Sequence, residues 1–127
     1  MKDLIVSAVA VSVLIAAWLL FSTYSEKQID DFTSSVETVI LPAVESENWA
    51  EGIENMTGLS DRWQSYKKTA VFFIDTNAIS EIDYSMAKSL KYVQARDLSN
   101  SSGELLAMLR QLNYLSTNEK VSLANIL

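Results

Sequence analysis

The sequence LIVSAVAVSVLIAAWLLF, residues 4–21, decides the architecture of this chain. It contains no charged residue, no proline and no glycine. As an α-helix this stretch would be roughly 27 Å long, close to the thickness of the hydrocarbon layer of a bilayer. We therefore predict that residues 1–22 form a transmembrane anchor with a short cytoplasmic N-terminus, and that residues 23–127 form an extracytoplasmic helical bundle.

A cleaved signal peptide is the competing interpretation of the same stretch. Signal peptides have an apolar core of about 7–15 residues followed by a cleavage site made of small residues. Here the apolar core is longer, and the nearest match to a cleavage site, Thr23-Tyr24-Ser25, contains no alanine. These differences favour an anchor that stays on the protein.

The charges that flank the apolar stretch indicate its orientation. The α-amine and Lys2 precede it with Asp3 nearby, whereas Lys27 follows it among Glu26, Asp30 and Asp31. Positive charge is retained on the cytoplasmic side of a membrane. The sequence therefore predicts a single-pass protein with its N-terminus in the cytoplasm and its bundle outside.

Two sets of residues in this segment are candidates for contacts within or beside the membrane. Trp18 and Tyr24 would lie near the outer interface, where amphipathic rings are favoured, although they are equally well read as a hydrophobic and a linker residue. Ala8, Ser12 and Ala16 recur every four residues and share one helix face, and small residues let another helix approach closely. Since alanine and serine are common in anchors, an ordinary lipid-facing surface is the alternative.

Composition excludes several functions. The 127 residues leave room for one small domain beside the anchor. Because cysteine and histidine are absent, thiol chemistry, cysteine-bound metals and histidine general bases are excluded. The net charge is −6, and between residues 23 and 61 Lys27 is the sole base among nine acids. This charge disfavours nucleic acid as a partner, and the acidic stretch reads as a solvated face rather than as a weak site for divalent cations.

Apolar residues at three- and four-residue spacing predict the remaining helices. The first stripe continues the anchor over residues 24–41, where Pro42 should end or kink the helix and push Leu41 out of helical geometry. A second helix should begin at Asn48, with Glu51 as its capping partner and with Gly52 and Gly58 at close helix contacts. Its stripe consists of Trp49, Ile53, Met56, Leu59, Trp63, Tyr66, Ala70 and Phe73.

Two more helices complete the predicted fold. One carries Ile79, Ile82, Met86, Leu90 and Val93 and should end near Arg96. After a polar turn, Ser101 and Glu104 have the spacing of a capping box before a helix that carries Leu105, Met108, Leu109, Leu112 and Leu115. Ser116–Lys120 reads as a polar break, and the apolar end 121–127 should fold back onto the bundle or offer a docking segment. The fold class is all-α, an N-terminal transmembrane helix running into an antiparallel bundle of three to four helices.

Chemical motifs are weak in this chain. Ser85-Met86-Ala87-Lys88 matches the Ser-x-x-Lys signature of penicillin-interacting enzymes, but the accompanying motifs are absent. Asp75–Ile79 begins like a calcium loop, yet Ile79 stands where an oxygen ligand is needed. Trp49 and Trp63 on one stripe suit either a ligand platform or, more simply, the core. We therefore predict no enzyme activity, no catalytic or metal-binding residue and no cofactor.

The chain resembles, over nearly its full length, an uncharacterised family described as a domain of unknown function. The resemblance rests on Met1-Lys2-Asp3 followed by an anchor, on the Trp49–Trp63 helix, on Phe72-Phe73-Ile74-Asp75 and on the closing Ser122–Leu127. It implies short single-pass membrane proteins of spore-forming Gram-positive bacteria, encoded near larger multi-pass membrane proteins. It implies no activity, cofactor or catalytic residue.

Two functional hypotheses follow. The first is a membrane-anchored interaction module that scaffolds or regulates a multi-pass membrane protein, with the bilayer as its other partner. The second is an extracytoplasmic module that binds a small apolar or cationic ligand in a cavity beside Trp49 and Trp63. A sensor is disfavoured because the anchor leaves almost no cytoplasmic residues to carry a signal.

Overall fold

A computed structural model of the chain describes the backbone of residues 1–126 and the side chains of residues 1–118. The helices are α1 (Lys2–Ser35), a π-helical turn (Val36–Ile40), α2 (Leu41–Glu45), α3 (Trp49–Ala70), α4 (Thr76–Gln94) and α5 (Leu98–Ile126). Residues 1–126 contain no strand. Four helices pack together, since α1 continues through the π turn into α2, and α3, α4 and α5 follow in alternating directions. The all-α fold class and the N-terminal apolar helix are confirmed.

The first helix has two halves with opposite surroundings. Residues 4–20 are almost entirely exposed, and this helix is apolar and long enough to cross a membrane. From Phe21 onward one face is buried, through Ser25, Ile29 and Phe32 of α1 and then Val36 and Ile40 of the π turn. Residues 24–41 therefore form the predicted amphipathic continuation of the apolar helix.

Pro42 does not end this helix, contrary to expectation. The chain stays helical to Glu45, and Leu41 itself is helical, with φ −61° and ψ −46°. The π turn before Pro42 explains the difference, because its wider hydrogen bonds change the register and place the proline in the first turn of α2. Leu41 N–H bonds to the Val36 carbonyl five residues back, so the hydrogen-bond register shifts immediately before the proline, which has no N–H of its own to donate.

The residue at which α3 starts was predicted correctly. The close helix contacts predicted for its two glycines are found at only one of them. Asn48 precedes the helix, but its side chain makes no hydrogen bond to the backbone of the first turn, so the predicted capping box is not formed. Its Nδ2 instead donates to Glu51 Oε2 over 2.8 Å. A Cβ on Gly52 would lie 3.6 Å from a methyl of Val93, so Gly52 does lie at a helix contact, although at an ordinary van der Waals distance. Gly58 has nothing within 4 Å of such a Cβ, so the expected close contact is wrong there.

The turn between α4 and α5 corrects a predicted cap. The last helix begins three residues before Ser101, at Leu98, because Asp97 Oδ1 accepts the backbone N–H of Asn100 over 3.1 Å. Ser101 lies inside the helix, and its buried hydroxyl has no hydrogen-bond partner among the described residues. Arg96 has a left-handed φ of 57°, which ends α4 close to the predicted residue.

The predicted polar break at Ser116–Lys120 is wrong, because α5 continues as one helix to Ile126. Polar residues on a single helix need only face solvent, and Thr117 Oγ1 donates back to the Asn113 carbonyl over 3.0 Å. The expected packing of the side chains of residues 121–127 lies outside the described side chains.

The core runs along the inside of the bundle and follows the predicted stripes. Phe32, Trp63, Tyr66 and Met86 are among its fully or almost fully buried members, and the described side chains of α5 add four. Those four are Leu105, Met108, Leu112 and Leu115. Trp49, Ile53, Leu90 and Leu109 are partly buried at its edge. The predicted stripe of α3 is confirmed except at Phe73, which lies beyond the end of the helix at Ala70.

Candidate functional site

The structure brings the exposed apolar helix and the bundle together at an aromatic junction. We use the name apolar span for residues 4–21 and the name junction for Phe21, Tyr24, Tyr66 and Phe73. The rings of Phe21 and Phe73 stack with their centroids 4.3 Å apart and their planes at 9°. The ring centroid of Tyr66 lies 6.3 Å from that of Phe21 and 6.0 Å from that of Tyr24.

A buried hydrogen bond reinforces the junction. The Ser25 hydroxyl and the Tyr66 hydroxyl bond to each other, and either oxygen can donate. Both residues are fully buried, and the bond joins α1 to α3 just beyond the last residue of the apolar span. Because aromatic pairs and a buried hydrogen bond both favour one geometry, the direction of the apolar span relative to the bundle is fixed.

The two residues predicted at the membrane interface lie at this level of the molecule. Trp18 is half-buried, and the Tyr24 side chain is 41% exposed and packs on Phe21 and Tyr66.

The predicted helix-contact face lies closer to the N-terminus of the apolar span. Ala8, Ser12 and Ala16 are all exposed, and the Ser12 hydroxyl donates to the Ala8 carbonyl over 2.8 Å. That bond satisfies the hydroxyl inside its own helix, so the face presents little polarity.

A cavity of about 250 Å³ opens beside the junction. It lies where α1, the end of α3, the start of α4 and α5 meet. Aromatic side chains form much of its lining, and Asp75 contributes a carboxylate; the lining includes Trp18, Phe21, Phe73, Ile74, Asp75 and Tyr114. An aromatic-lined cavity with one carboxylate suits an apolar group or an organic cation.

The tryptophans predicted beside a ligand cavity have other surroundings. Trp63 is fully buried between Phe32 and Tyr66, and its indole Nε1 donates to Asp83 Oδ1 over 2.9 Å. Trp49 packs at the edge of the core. Trp63 therefore has the structural role that was its simpler interpretation, and the aromatic cavity lies at Trp18 instead.

Asp83 gathers three donors and ties α3 to α4. Besides Trp63, its Oδ1 accepts from Gln64 Nε2 at 3.1 Å and from Lys67 Nζ at 3.2 Å. Partial burial by itself would raise the pKa of Asp83. The hydrogen bonds from Trp63, Lys67 and Gln64, with the charge of Lys67, outweigh that effect and lower its pKa below the usual value of 3.8. The carboxylate is therefore held in its charged form.

The weaker motifs can also be located. Ser85 is buried in the core, whereas Lys88 Nζ lies 3.5 Å from Glu104 Oε1 of α5. In the acidic stretch, Glu26, Lys27, Asp30 and Asp31 line an open surface groove. Among the described side chains, no three acidic groups gather closely enough to hold a metal ion.

Several contacts of the junction were missed by sequence reasoning. The Phe21–Phe73 stack and the Ser25–Tyr66 bond join residues far apart in the chain, and helix periodicity assigns a face without naming its partner. The sequence did contain one sign of these contacts. Residues Val71-Phe72-Phe73-Ile74 are four consecutive apolar residues, which is unusual for a connection between two helices.

Comparison with known proteins identifies the family. Residues 19–126 match the family model DUF4363, described as a domain of unknown function. The match covers the bundle and the last residues of the apolar span, so the chain belongs to this family. No curated protein and no solved structure matches the chain.

Proposed function

We propose that this protein is a single-pass accessory module that scaffolds or regulates a multi-pass membrane protein at the outer face of a bacterial cell membrane. The observation that carries the proposal is the continuity of the exposed apolar span with a core helix of the bundle. Exposed side chains along such a helix need lipid or apolar protein around them. The resemblance to single-pass proteins encoded near larger membrane proteins agrees with this role.

The position of the small-residue face supports a partner inside the membrane. At about 100° per residue, the face of Ala8, Ser12 and Ala16 points roughly 145° away from the side that α1 buries in the bundle. A partner helix could therefore lie against this face without meeting the bundle. Small side chains allow the close backbone approach on which helix association in lipid depends.

The junction gives such a contact a way to act on the bundle. Because Phe21 stacks on Phe73 and Ser25 bonds to Tyr66, a tilt of the apolar span moves the bundle with it. An accessory protein built in this way would hold its extracytoplasmic domain in a set position above its partner.

Purification of the full-length tagged protein from its native membranes in gentle detergent tests the proposal. We expect a multi-pass protein to be recovered in stoichiometric amount, as measured by quantitative mass spectrometry. Changing Ala8, Ser12 and Ala16 together to Leu should reduce this recovery several-fold, because the larger side chains block close helix approach.

A composition-matched control variant exists in the same helix. Ser7, Ala10 and Ala17 are also one serine and two alanines, are also exposed, and lie on the opposite face of α1. Changing these three to Leu should leave recovery of the partner unchanged. Equal recovery with both triple variants would remove the proposed contact face, and recovery of no multi-pass protein would contradict the accessory role.

The cavity beside the junction favours a second candidate, the binding of a small apolar or organic-cation ligand. Trp18, Phe73 and Tyr114 supply ring faces, and Asp75 supplies a negative charge. Tetramethylammonium is a suitable probe because it combines an apolar surface with a positive charge. Saturable quenching of tryptophan fluorescence that is lost in Trp18→Leu and weakened in Asp75→Asn would support this candidate, and no saturable change would contradict it.

A further inference from the structure

The turns at the two ends of the bundle differ sharply in polarity. At the end far from the apolar span, the turns are Ser46-Glu47-Asn48 and Ala95-Arg96-Asp97. At the near end, the turn between α3 and α4 is Val71-Phe72-Phe73-Ile74-Asp75. We call residues 71–75 the apolar turn. Helix-connecting turns normally face water and carry polar residues, so four consecutive apolar residues require an explanation.

The packing of the bundle accounts for only half of this apolar turn. Phe73 stacks on Phe21, and Ile74 packs against the core. Phe72, by contrast, is 81% exposed and Val71 is 48% exposed. The contacts of the described residues therefore leave Phe72 largely, and Val71 about half, exposed on this end of the bundle.

The Phe21–Phe73 stack sets the height of the apolar turn relative to the apolar span. Phe21 is the last residue of that span, and Phe73 lies directly beside it, with ring centroids 4.3 Å apart. A bilayer that surrounds residues 4–21 would therefore have its outer surface at the level of the apolar turn. Phe72 and Val71 belong to the same turn as Phe73, and their side chains are 81% and 48% exposed.

Charge near the apolar turn agrees with a phospholipid surface. Lys68 is exposed in the last turn of α3, about 4.5 Å along the helix axis before Val71. A lysine at this position can reach lipid phosphates while its stem lies along apolar surface. Asp75, at the other end of the turn, is exposed and precedes α4, where it can remain in the headgroup layer.

We propose that the apolar turn is a second membrane contact, with Phe72 and Val71 inserted into the outer leaflet of the bilayer that holds α1. This inference rests on the proposed membrane anchoring of the apolar span and goes beyond it. Two separate contacts hold the bundle upright on the membrane, whereas the anchor alone would let it tilt. A single exposed phenylalanine beside an aliphatic residue adds apolar burial to that of the anchor without needing a further protein.

Site-specific labels can measure the depth of the apolar turn, because the chain contains no native cysteine. The full-length variants are Phe72→Cys, Leu98→Cys and Leu14→Cys, each labelled with an environment-sensitive fluorophore. Leu98 is the matched control, since it is exposed and apolar at the first residue of α5, at the opposite end of the bundle. Leu14 reports on the middle of the apolar span. The proteins are reconstituted into vesicles of phosphatidylcholine and phosphatidylglycerol that contain no other protein.

Quenchers placed in lipid or in water distinguish the outcomes. We expect a shallow nitroxide lipid to quench the Phe72 label several-fold more than the Leu98 label, and iodide to show the opposite preference. The Leu14 label should be quenched most strongly by a lipid that carries its nitroxide deep in the bilayer. Val71→Cys repeats the measurement at a neighbouring position, and circular dichroism verifies that each variant is folded.

Three results would overturn the inference, and they separate it from the anchoring itself. If Phe72 responds to iodide as strongly as Leu98 while Leu14 is in lipid, the second contact is wrong and the anchor stands. If iodide quenches the Leu14 label and the nitroxide lipids do not, both the anchoring of the apolar span and the second contact are contradicted. If Leu98 is as deep as Phe72, the bundle lies flat on the membrane and the upright arrangement is wrong.

Discussion

The phenyl rings of Phe21 and Phe73 stack with centroids 4.3 Å apart and planes at 9°, and this contact joins the end of the apolar span to the turn between α3 and α4. The contact makes the apolar span and the bundle one structural unit. A flexible linker would have left the domain free to move on a tether. Here the orientation of the bundle follows the orientation of the apolar span.

Phe73→Ala should weaken the junction. The substitution removes the stacked partner of Phe21 and part of the cover of the core, so we expect a loss of about 1–3 kcal/mol in the free energy of unfolding. This loss is measured by thermal unfolding of the full-length protein in detergent, with circular dichroism as the signal. Tyr84→Ala is the control because it removes a ring that is 67% exposed on α4, away from the proposed membrane contact, and it should cost less than about 0.5 kcal/mol. Equal losses would contradict the structural role of Phe73.

Asp83 should make the bundle less stable in acid. Its pKa in the folded state lies below 3.8, so its contribution to stability is fully present above the unfolded-state pKa and disappears as the pH falls through the folded-state value. The difference in unfolding free energy between the wild type and Asp83→Asn should therefore be constant near neutral pH and shrink below about pH 4. Urea titrations at a series of pH values measure this difference. A difference that stays constant down to pH 2 would show that Asp83 has no depressed pKa.

Gly58→Ala should stabilise the protein. A Cβ at this position of α3 meets no atom within 4 Å, and alanine restricts the unfolded chain more than glycine does. We expect a gain of about 0.5–1 kcal/mol, measured as an increase in the midpoint of thermal unfolding. Gly52→Leu provides the contrast in the same helix, because it would push a large side chain against Val44 and Val93 and should destabilise. A loss of stability in Gly58→Ala would reveal a contact at Gly58 that the described structure lacks.

Arg96→Gly should also stabilise the protein, for a different reason. Arg96 has a φ of 57°, and its backbone N–H bonds to the Val93 carbonyl in the turn that ends α4. Glycine adopts this left-handed conformation without the steric cost of a Cβ, so we expect a gain of up to about 1 kcal/mol. Arg96→Ala removes the same charge but keeps the Cβ, and it should show no comparable gain in thermal unfolding. Equal gains in both variants would assign the effect to charge.

Much of the bundle could be predicted from local patterns. The stripe from Met56 to Ala70 and the stripe from Leu105 to Leu115 are buried as expected, because helix periodicity dictates which face an amphipathic helix turns inward. The position of Asn48 before α3 was predictable because an asparagine followed three residues later by glutamate is a helix-start pattern.

The errors occurred where two local rules competed. Pro42 carries a strong stop signal, but the helix continues past it to Glu45, with a π turn shifting the hydrogen-bond register immediately before the proline. Ser101 was predicted to cap α5, but Asp97, four residues earlier, accepts the backbone N–H of Asn100 and the helix begins before Ser101. The polar residues Ser116–Lys120 resembled a break because they lack an apolar stripe, yet α5 continues through them, since a helix tolerates polar residues on its outer face.

The candidate site was predicted only in outline. The apolar span was evident from residues 4–21. Trp18 was predicted to lie at the membrane interface, and the structure places it in the lining of the cavity. The junction was not foreseen, because Phe21 and Phe73 belong to different elements and no local pattern links them. Long-range pairing of this kind depends on how helices pack, which a single sequence leaves open.

The most direct test of the central claim is the accessibility of single cysteines in intact cells to a membrane-impermeant maleimide. Asp3→Cys lies before the apolar span, and Leu98→Cys lies at the far end of the bundle. The proposed anchoring predicts that Leu98→Cys is labelled in intact cells, that Asp3→Cys is labelled only after permeabilisation, and that both remain in the membrane fraction. Labelling of Asp3→Cys in intact cells, or recovery of a soluble protein that has lost residues 1–22, would contradict the account.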